Sequence, residues 1–311
     1  AVNINIRGFQ KDQLGYTLDR IPLGDMSYGN YNGLHISRAI ISENIAKTEL
    51  AQGSASLSTA STSNLGGALT FTSRGPSNDF GGVVAATGGS ESMYRAYGRL
   101  DSGEIDAIGG GKAYISYANQ SMDKWKGEGK QKLEQLNIGF EQPLGPGVLS
   151  GYYDWSKRRE NDYQDLSLEM LDRLGYDWDN ISGDWDLANL VGDVAANNGY
   201  SGVCNPAFPD GSPTTAPCPN PSAGTDWPAP FINADDAYFD ASGLRDDTLA
   251  RLSYDVNLTQ DLALSLTAYI HENEGQGIWF TPYVSPFSFG QGGPNVSPIS
   301  VRTTEYDMNR A

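Results

Sequence analysis

The sequence contains no long hydrophobic run. None of its apolar stretches approaches the roughly 18 consecutive residues that a membrane-spanning helix requires. A helical membrane span is therefore excluded. Strands that cross a membrane place apolar side chains at every second position only, so the same absence leaves spanning strands open.

Positive charge is also scarce. The chain has 21 Lys and Arg residues against 38 Asp and Glu residues, which gives a net charge of −17. An acidic surface repels phosphate backbones, so no nucleic-acid partner is predicted. Between residues 161 and 247, 16 acidic side chains stand against two basic ones. This segment is either a solvated loop kept soluble by its charge, or a surface that attracts a cationic or metal-bearing ligand.

Cysteine is limited to Cys204 and Cys218, which lie in a stretch rich in Pro, Gly and Ser. Two cysteines this close in a polar loop predict a disulfide formed in an oxidising compartment. Zinc is the alternative, but two thiolates do not complete a tetrahedral site and no histidine lies nearby. No metal site and no cofactor is predicted.

Histidine is equally rare, with only His35 and His271 in the chain. Neither stands in a catalytic motif. No Gly-x-Ser-x-Gly, His-Glu-x-x-His or Gly-Lys phosphate loop occurs either. The sequence therefore predicts a protein that is not an enzyme.

What the chain has in abundance, from about Phe80 onward, is alternation. Apolar residues at even positions between Leu262 and Ile270 alternate with polar residues at odd positions. The same period of two is found in the ranges 250–258, 136–141 and 149–156. This pattern predicts long β-strands, each with one apolar and one polar face.

The connections between these strands differ in length at their two ends. The short ones are Asp106–Gly111, Pro143–Gly147 and Thr259–Asp261; the opposite ones are Asp123–Lys130, Asn161–Leu244 and Gly275–Pro298. Short turns on one side and long loops on the other are typical of transmembrane β-barrels. A soluble β-sandwich is the alternative, but its strands are shorter and its loops show no such bias.

The first 79 residues differ from the rest. They contain short mixed elements: a predicted helix near Ser37–Ile45, a Ser/Thr/Ala-rich run at Ser54–Ser63 and a predicted strand at Ala68–Thr72. This indicates a small α+β unit. The predicted fold class is therefore mostly β, a partial transmembrane antiparallel β-barrel of about eight strands that follows a small α+β domain.

Four motifs in this N-terminal unit give it a family resemblance. Ile4–Phe9 ends in Ile-Arg-Gly-Phe, and Tyr16–Leu23 contains Leu-Asp-Arg-Ile-Pro-Leu. Leu65–Leu69 carries a Gly-Gly pair, and Phe71–Arg74 leads into the first long strand. In this order the motifs resemble the plug domain of TonB-dependent outer-membrane receptors. Arg20 stands where that family usually has glycine.

The resemblance implies a fragment of such a receptor. Residues 1–79 would be the C-terminal part of the plug, and residues 80–311 the N-terminal part of the barrel, with a long extracellular loop at about 161–244. The implied location is the bacterial outer membrane. The implied partners are outer-membrane lipid, a TonB-type energy-coupling protein of the inner membrane and a small nutrient ligand. An iron–siderophore complex is the first candidate for the nutrient and an oligosaccharide the second, while a passive porin or adhesion barrel is the alternative class.

The resemblance also suggests site residues. Arg7 and Arg74 are candidates for a charged lock that holds the plug, and Glu141 faces the barrel lumen by strand parity. Buried ion pairs suit a lock because breaking one partner is costly while the net stabilisation is modest. The alternative is that both arginines are ordinary surface residues.

Two groups of residues are candidates for facing the ligand. The turn-rich segment Met26–Gly33 presents Tyr28, Asn30 and Tyr31, and the acidic loop contains Trp178 and Trp185. Tyrosine and tryptophan combine apolar area with a hydrogen-bonding group. The alternatives are a plain loop packed on the barrel wall and a small hydrophobic cluster that orders the acidic loop.

Overall fold

The computed structural model describes residues 4–10, 13–24, 33–53, 59–61, 64–181, 183–197, 226–232, 236, 238–281 and 300–311. Tyr28, Asn30, Tyr31, Cys204 and Cys218 lie outside these residues. The described chain forms two sheets, one of four strands and one of eight.

The small sheet begins with a tight hairpin. Strands β1 (Gly15–Leu18) and β2 (Ile21–Pro22) are joined by Asp19 and Arg20 alone. Both joining residues have positive φ, 47° and 70°. Two-residue hairpin turns of this type need positive φ at both positions, which explains why glycine is usual there. Arg20 adopts the same conformation although it has a side chain.

Strand β4 (Gly67–Ser73) occupies the centre of this sheet. It pairs in parallel with β1 and antiparallel with β3 (Ile45–Gln52). Gly67 has a φ of 134°, and a Cβ atom there would lie 2.6 Å from the carbonyl oxygen of Ala51. Glycine is therefore required at this position by both backbone conformation and space.

The helix predicted near Ser37–Ile45 is shorter than expected. Helix α1 covers only Ile36–Ala39, and a 3₁₀ turn at Ser42–Asn44 precedes β3. Between them Ile40 and Ile41 are extended and fully buried. Ile40 packs into the core of the small sheet, whereas Ile41 packs against Tyr97 and Ala118 of the large sheet. Extended backbone sends adjacent side chains to opposite sides, so tertiary packing overrides the local pattern.

The large sheet is an antiparallel meander in chain order, which confirms the predicted mostly-β fold class. Each strand pairs with its neighbours in sequence, and within the described residues the sheet is open, with β5 and β12 at its edges. Its strands are β5 (Phe80–Gly88), β6 (Tyr94–Ser102), β7 (Lys112–Asp123), β8 (Lys130–Leu144), β9 (Gly147–Asn161), β10 (Asp240–Asn257), β11 (Ala263–Thr281) and β12 (Ser300–Arg310).

Two strands extend further into the long connections than the sequence pattern suggested. Strand β10 begins at Asp240 rather than after Leu244, and β11 continues past Gly275 to Thr281. Residues in these extensions are mostly polar or glycine, so they carry no apolar alternation. Their backbones nevertheless remain paired with β9 and β12.

The long connection after β9 contains two helices, α2 (Leu168–Leu174) and α3 (Trp185–Asn197). Helix α2 is capped by Ser167, whose hydroxyl accepts a hydrogen bond from the Met170 amide. No helix in the described part of the chain combines the length and apolarity that a membrane crossing needs.

Candidate functional site

The outward face of the large sheet is apolar and exposed. Leu266 is 57% exposed and Val84 is 90% exposed. The other large members of this face are Leu100, Ile115, Ile138, Tyr153, Leu252, Leu264 and Ile270. A contiguous apolar surface of this kind marks a contact with lipid or protein rather than with water.

The apolar face ends within one outward residue pair of the same register on strands β8, β9 and β11. Leu136 of β8 lies opposite Trp155 of β9, and the next outward pair is Glu134 with Lys157. On β11, outward Ile270 is followed by outward Glu272. Aromatic residues at such a boundary, with charge directly beyond it, are typical of the interface between hydrocarbon and lipid headgroups.

The inward face is polar and buried against the four-stranded sheet. Arg38 of α1 donates a hydrogen bond from Nη1 to Asp247 Oδ2 of β10 at 2.7 Å, and the Asp247 side chain is 1% exposed. Asp247 Oδ1 accepts a further bond from Asn273 Nδ2 at 2.7 Å and lies 3.3 Å from His271 Nε2. A buried carboxylate needs this number of partners to offset its loss of hydration.

Asn44 forms a second buried contact with the inner wall. Its Nδ2 donates to Ser116 Oγ at 2.6 Å and to Asn137 Oδ1 at 2.8 Å. Its Oδ1 accepts from Tyr97 OH and from Arg99 Nη1, both at 3.0 Å. One side chain of the N-terminal unit, the predicted plug, thus joins three neighbouring strands of the large sheet, β6, β7 and β8.

Arg99 holds the chain where it leaves the small sheet. Its guanidinium donates to the carbonyl oxygens of Arg74 and Gly75, at 3.2 and 2.7 Å. It also pairs with Asp101 at 2.8 Å and lies 3.9 Å from the centre of the Tyr114 ring. The exit from the plug into the barrel is therefore fixed by a fully partnered buried cation.

Glu43 supplies a third link. Arg95 Nε and Nη2 donate to its two carboxylate oxygens at 2.9 and 2.6 Å. These hydrogen bonds lower the pKa of Glu43 to about 2, against the opposing effect of burial. Such a bidentate pair is directional as well as strong.

Two of the three predicted lock residues, Arg7 and Glu141, have other partners. Arg7 Nη2 donates to Gln52 Oε1 at 2.5 Å, within the small sheet's own region. Glu141 pairs with Lys112 of the neighbouring strand at 3.1 Å. Among the residues that the structure describes, neither Arg7 nor Arg74 forms an ion pair with Glu141. Among the described residues, the ion pairs between plug and wall instead involve Arg38, Glu43 and Arg20, whose Nη1 lies 3.8 Å from Asp255 Oδ1.

A signal for those residues exists in the sequence. Asp247 and Asn137 stand at inward positions of alternating strands, where a large lumen would leave them hydrated and a plug would bury them. The segment from His35 to Asn44 places polar residues between buried isoleucines. Neither pattern shows which residue of one unit pairs with which residue of the other.

A cavity of about 450 Å³ opens between this segment and the inner wall. It lies at the end of the strands that carries the long loop. Its apolar side is formed by Ile36, Ile40, Ile45 and Leu133. Its polar side is formed by Ser37, Ser42, Arg95, Gln120, Gln131, Lys132, Gln135, Arg158 and Glu160. Its volume lies in the range of small-molecule sites.

The two predicted tryptophans pack inside the long loop. Trp178 meets Phe231 edge-on with ring centroids 5.4 Å apart, and Trp185 meets Phe239 at 4.9 Å. Both pairs border the small core around Ile181. This arrangement agrees with the alternative of a hydrophobic cluster that orders the loop.

An aromatic group that the sequence analysis missed lies on the β7–β8 hairpin. Trp125 is 5.4 Å from Tyr176 and 6.3 Å from Tyr163, measured between ring centroids. Below it, fully buried Lys124 pairs with Asp179 and donates to the Asp162 carbonyl oxygen at 2.9 Å. Trp125 and Tyr176 remain exposed. A lysine buried by residues distant in sequence leaves no local signal.

No family model and no curated protein matches the chain. Solved structures do match. The siderophore receptor PiuA from Acinetobacter baumannii is 12% identical with a TM-score of 0.54, over 93% of this chain and 33% of that one. The ferric-catecholate import receptor Fiu from E. coli K12 is 13% identical with a TM-score of 0.56, over 98% and 36%. FpvAI in complex with pyocin S2 is 12% identical with a TM-score of 0.57, over 99% and 33%.

The chain thus has the fold of part of an outer-membrane siderophore receptor, and it spans about a third of the length of the receptors named above. The predicted resemblance to TonB-dependent receptors is confirmed at the level of fold. At such low identity the comparison carries the fold alone.

Proposed function

We propose that this chain is part of a receptor in the bacterial outer membrane that imports a scarce nutrient, with an iron–siderophore complex as the first candidate. Import would be active and driven by a TonB-type coupling protein of the inner membrane. No bond of the nutrient is made or broken. The shared fold supports this class, since the receptors with that fold include siderophore and ferric-catecholate import receptors by name.

The observation that carries the proposal is the polar seam between plug and wall. Arg38–Asp247 and Glu43–Arg95 are ion pairs between the two units, and Asn44 adds four hydrogen bonds. A hydrophobic interface would suit a plug that never moves. Polar pairs can exchange their partners for water when the plug moves. A passive porin needs no such releasable unit.

The exposed apolar face supports the membrane location. Its outward residues would meet hydrocarbon, and the charged residues beyond Trp155 would meet lipid headgroups. Lipid is therefore a structural partner in this proposal. The test is fractionation: the full-length protein should sediment with outer membranes and require detergent for extraction, and recovery in buffer would contradict it.

The uptake proposal is tested by deletion of the gene. The deletion strain should lose growth on a ferric siderophore as the only iron source and keep growth on freely available iron. A plasmid with the full-length gene should restore growth only where the coupling protein is present. Unchanged growth on every iron source would reject iron uptake.

Oligosaccharide uptake is the second candidate. The exposed rings of Trp125 and Tyr176 favour it, because sugars stack on aromatic faces of this kind. In that case the deletion strain would lose growth on an oligosaccharide as carbon source and keep all its iron sources. The two growth results separate the candidates.

A further inference from the structure

A second cavity, of about 190 Å³, opens at the other end of the inward face, beside the short strand connections. Its lining includes Glu141 and Ser150, which flank the turn between β8 and β9. Asp19 of the β1–β2 turn lines it from the small sheet. Tyr152 and Arg251, which are directly opposed on β9 and β10, line it from the large sheet. Both structural units therefore bound this cavity.

Asp154 is a buried acid at the inner end of this region. It lies on the inward face of β9, one inward position further from the turn than Tyr152, and is 2% exposed. Neither of its carboxylate oxygens has a hydrogen-bond partner among the described residues. A carboxylate that loses its hydration without gaining partners is strongly unfavourable in its charged form. This side chain therefore requires a positively charged partner or a proton.

Two further oxygen donors lie beside Asp154. Asp19 accepts the Ser73 amide with Oδ1 at 2.9 Å, and its Oδ2 is buried without a partner in the described ranges. Tyr152 is 8% exposed, and its buried hydroxyl is also unpaired there. The charge of Asp19 acts on both Asp154 and Tyr152. Four oxygen atoms from the two units thus face one region without a common partner.

The arginine that lines the cavity does not neutralise this acid pair. The Cζ atom of Arg251 lies 5.9 Å from the centre of the Tyr152 ring, and its charge acts on Tyr152. Asp19 is the charged group that acts on Asp154. In the part of the chain that the structure describes, the buried Nε of Arg251 has no hydrogen-bond partner. Two acidic groups at the interface therefore remain without a counter-charge from these residues.

The donor set suits a hard cation. Its atoms are carboxylate and phenol oxygens, the kind of ligand that Ca²⁺ and Mg²⁺ prefer. Zinc sites are usually completed by histidine or cysteine, and neither lines this cavity. Mg²⁺ demands a near-ideal octahedron, whereas Ca²⁺ accepts irregular ligand arrangements and retains some water. Ligands that come from two separate structural units therefore favour Ca²⁺.

The number of carboxylates sets the expected affinity. Groups of three or more acidic, histidine or cysteine side chains placed to hold a metal do not occur among the described residues. A site with two carboxylates and a neutral phenol would be weak, with a Kd of about 10⁻⁴–10⁻³ M. Such an ion would exchange readily with its surroundings.

We propose that Asp19 and Asp154 bind a calcium ion between the small sheet and the inner wall of the large sheet, with Tyr152 as a neutral oxygen ligand. The ion would attach the β1–β2 turn to β9, and it is distinct from any imported nutrient. The sequence predicts no metal site because the two aspartates are far apart in the chain. Only the packing of the two sheets brings them together.

The test uses the full-length protein in detergent after removal of divalent ions with a chelator. Millimolar Ca²⁺ should raise the midpoint of thermal unfolding of wild type, because it binds the folded state, and Na⁺ at equal ionic strength should not. Asp154→Asn should weaken Ca²⁺ binding at least about 10-fold. Without divalent ions this variant should be more stable than wild type, since it removes an unpaired buried charge. Addition of Ca²⁺ should reverse the order of stability.

Two further variants test the site from the other unit and by charge. Asparagine tolerates the left-handed backbone of Asp19 and can still accept the Ser73 amide, so Asp19→Asn should keep the turn. It should also lose Ca²⁺ affinity at least about 10-fold. Arg251→Gln removes a positive charge from the cavity and should bind Ca²⁺ more tightly. Asp246→Asn is the control, because it removes an outward carboxylate and should bind Ca²⁺ as wild type does.

Three outcomes would overturn the inference. Wild-type stability that does not depend on Ca²⁺ is the first. The second is an equal loss of affinity in Asp246→Asn, which would assign the binding to the acidic surface. The third is an Asp154→Asn variant that is more stable than wild type both with and without Ca²⁺, which would mean that the region holds only a proton or water. None of these results bears on nutrient uptake, so the proposed function is tested separately.

Discussion

The inward and outward faces of the long strands differ in polarity and in burial. Asp247 points inward, is buried and has three polar partners, while its neighbour Asp246 points outward and pairs with half-exposed Arg159. Leu266 points outward and is exposed, while the inward face carries most of the buried polar residues of the sheet. In a water-soluble sheet the apolar face would be the covered one. The N-terminal unit covers the inward face, and the proposed membrane location would place hydrocarbon against the outward face.

The largest expected effect comes from a substitution on the inward face. Asp247→Ala leaves Arg38 buried without its carboxylate, which should cost about 3–5 kcal/mol in the attachment of residues 33–44. Hydrogen exchange of these residues in the full-length receptor would measure it. Asp246→Ala is the control and should cost less than about 1 kcal/mol, because its pair is surface-exposed. Equal effects of the two variants would mean that the faces do not differ.

The next largest effect is expected from a substitution on the outward face. Leu266 lies in the middle of the apolar stretch of β11, so Leu266→Arg should cost about 2–4 kcal/mol of unfolding free energy in a lipid bilayer. Glu274→Arg is the control, since Glu274 lies beyond the apolar level and opposite Asp246 and Asp307. It should be neutral or slightly stabilising. A tolerated arginine at position 266 would place this face in water.

The third prediction concerns how the stabilising effect of Glu43, on the plug, depends on pH. The pKa of Glu43 is about 2 in the folded protein and 4.5 for the free group, so its stabilising effect is present above about pH 4.5 and is lost as pH falls toward 2. Protection of residues 33–44 should drop between about pH 5 and about pH 3. Glu43→Gln should weaken protection at neutral pH by about 1.5–3 kcal/mol and remove most of this drop. An unchanged drop in that variant would assign it to other carboxylates.

The smallest effect is in the loop, and it has the opposite sign. Burial and Glu160 raise the pKa of Asp162 to about 6 from 3.8, so the folded loop gains stability as pH falls through about 6. Protection factors of residues 162–180 should be higher at about pH 5 than at about pH 7. Asp162→Asn should remove this difference. A rise in protection with pH would contradict the assigned environment.

The local features of the fold were predictable. Alternation identified the long strands, the side of the sheet on which Glu141 lies, and the shared apolar faces that contain Ile138 and Leu266, because period two is a property of each strand alone. The predicted strand Ala68–Thr72 likewise lies within β4 of the small sheet. The helix near Ser37–Ile45 was overestimated, since the burial of Ile40 and Ile41 depends on what packs against them.

By itself, then, the sequence determined which residues form strands, which side each strand residue points to, and that the N-terminal unit differs from the rest. Only the tertiary structure decided the partners. Arg38 meets Asp247 across 209 positions of sequence, whereas Arg7 pairs within its own region and Trp178 packs inside its loop. The charge and aromatic character of a residue can be read from the sequence. The energy of a pair depends on the distance between its members and on their burial. Both are set by how the two sheets pack against each other.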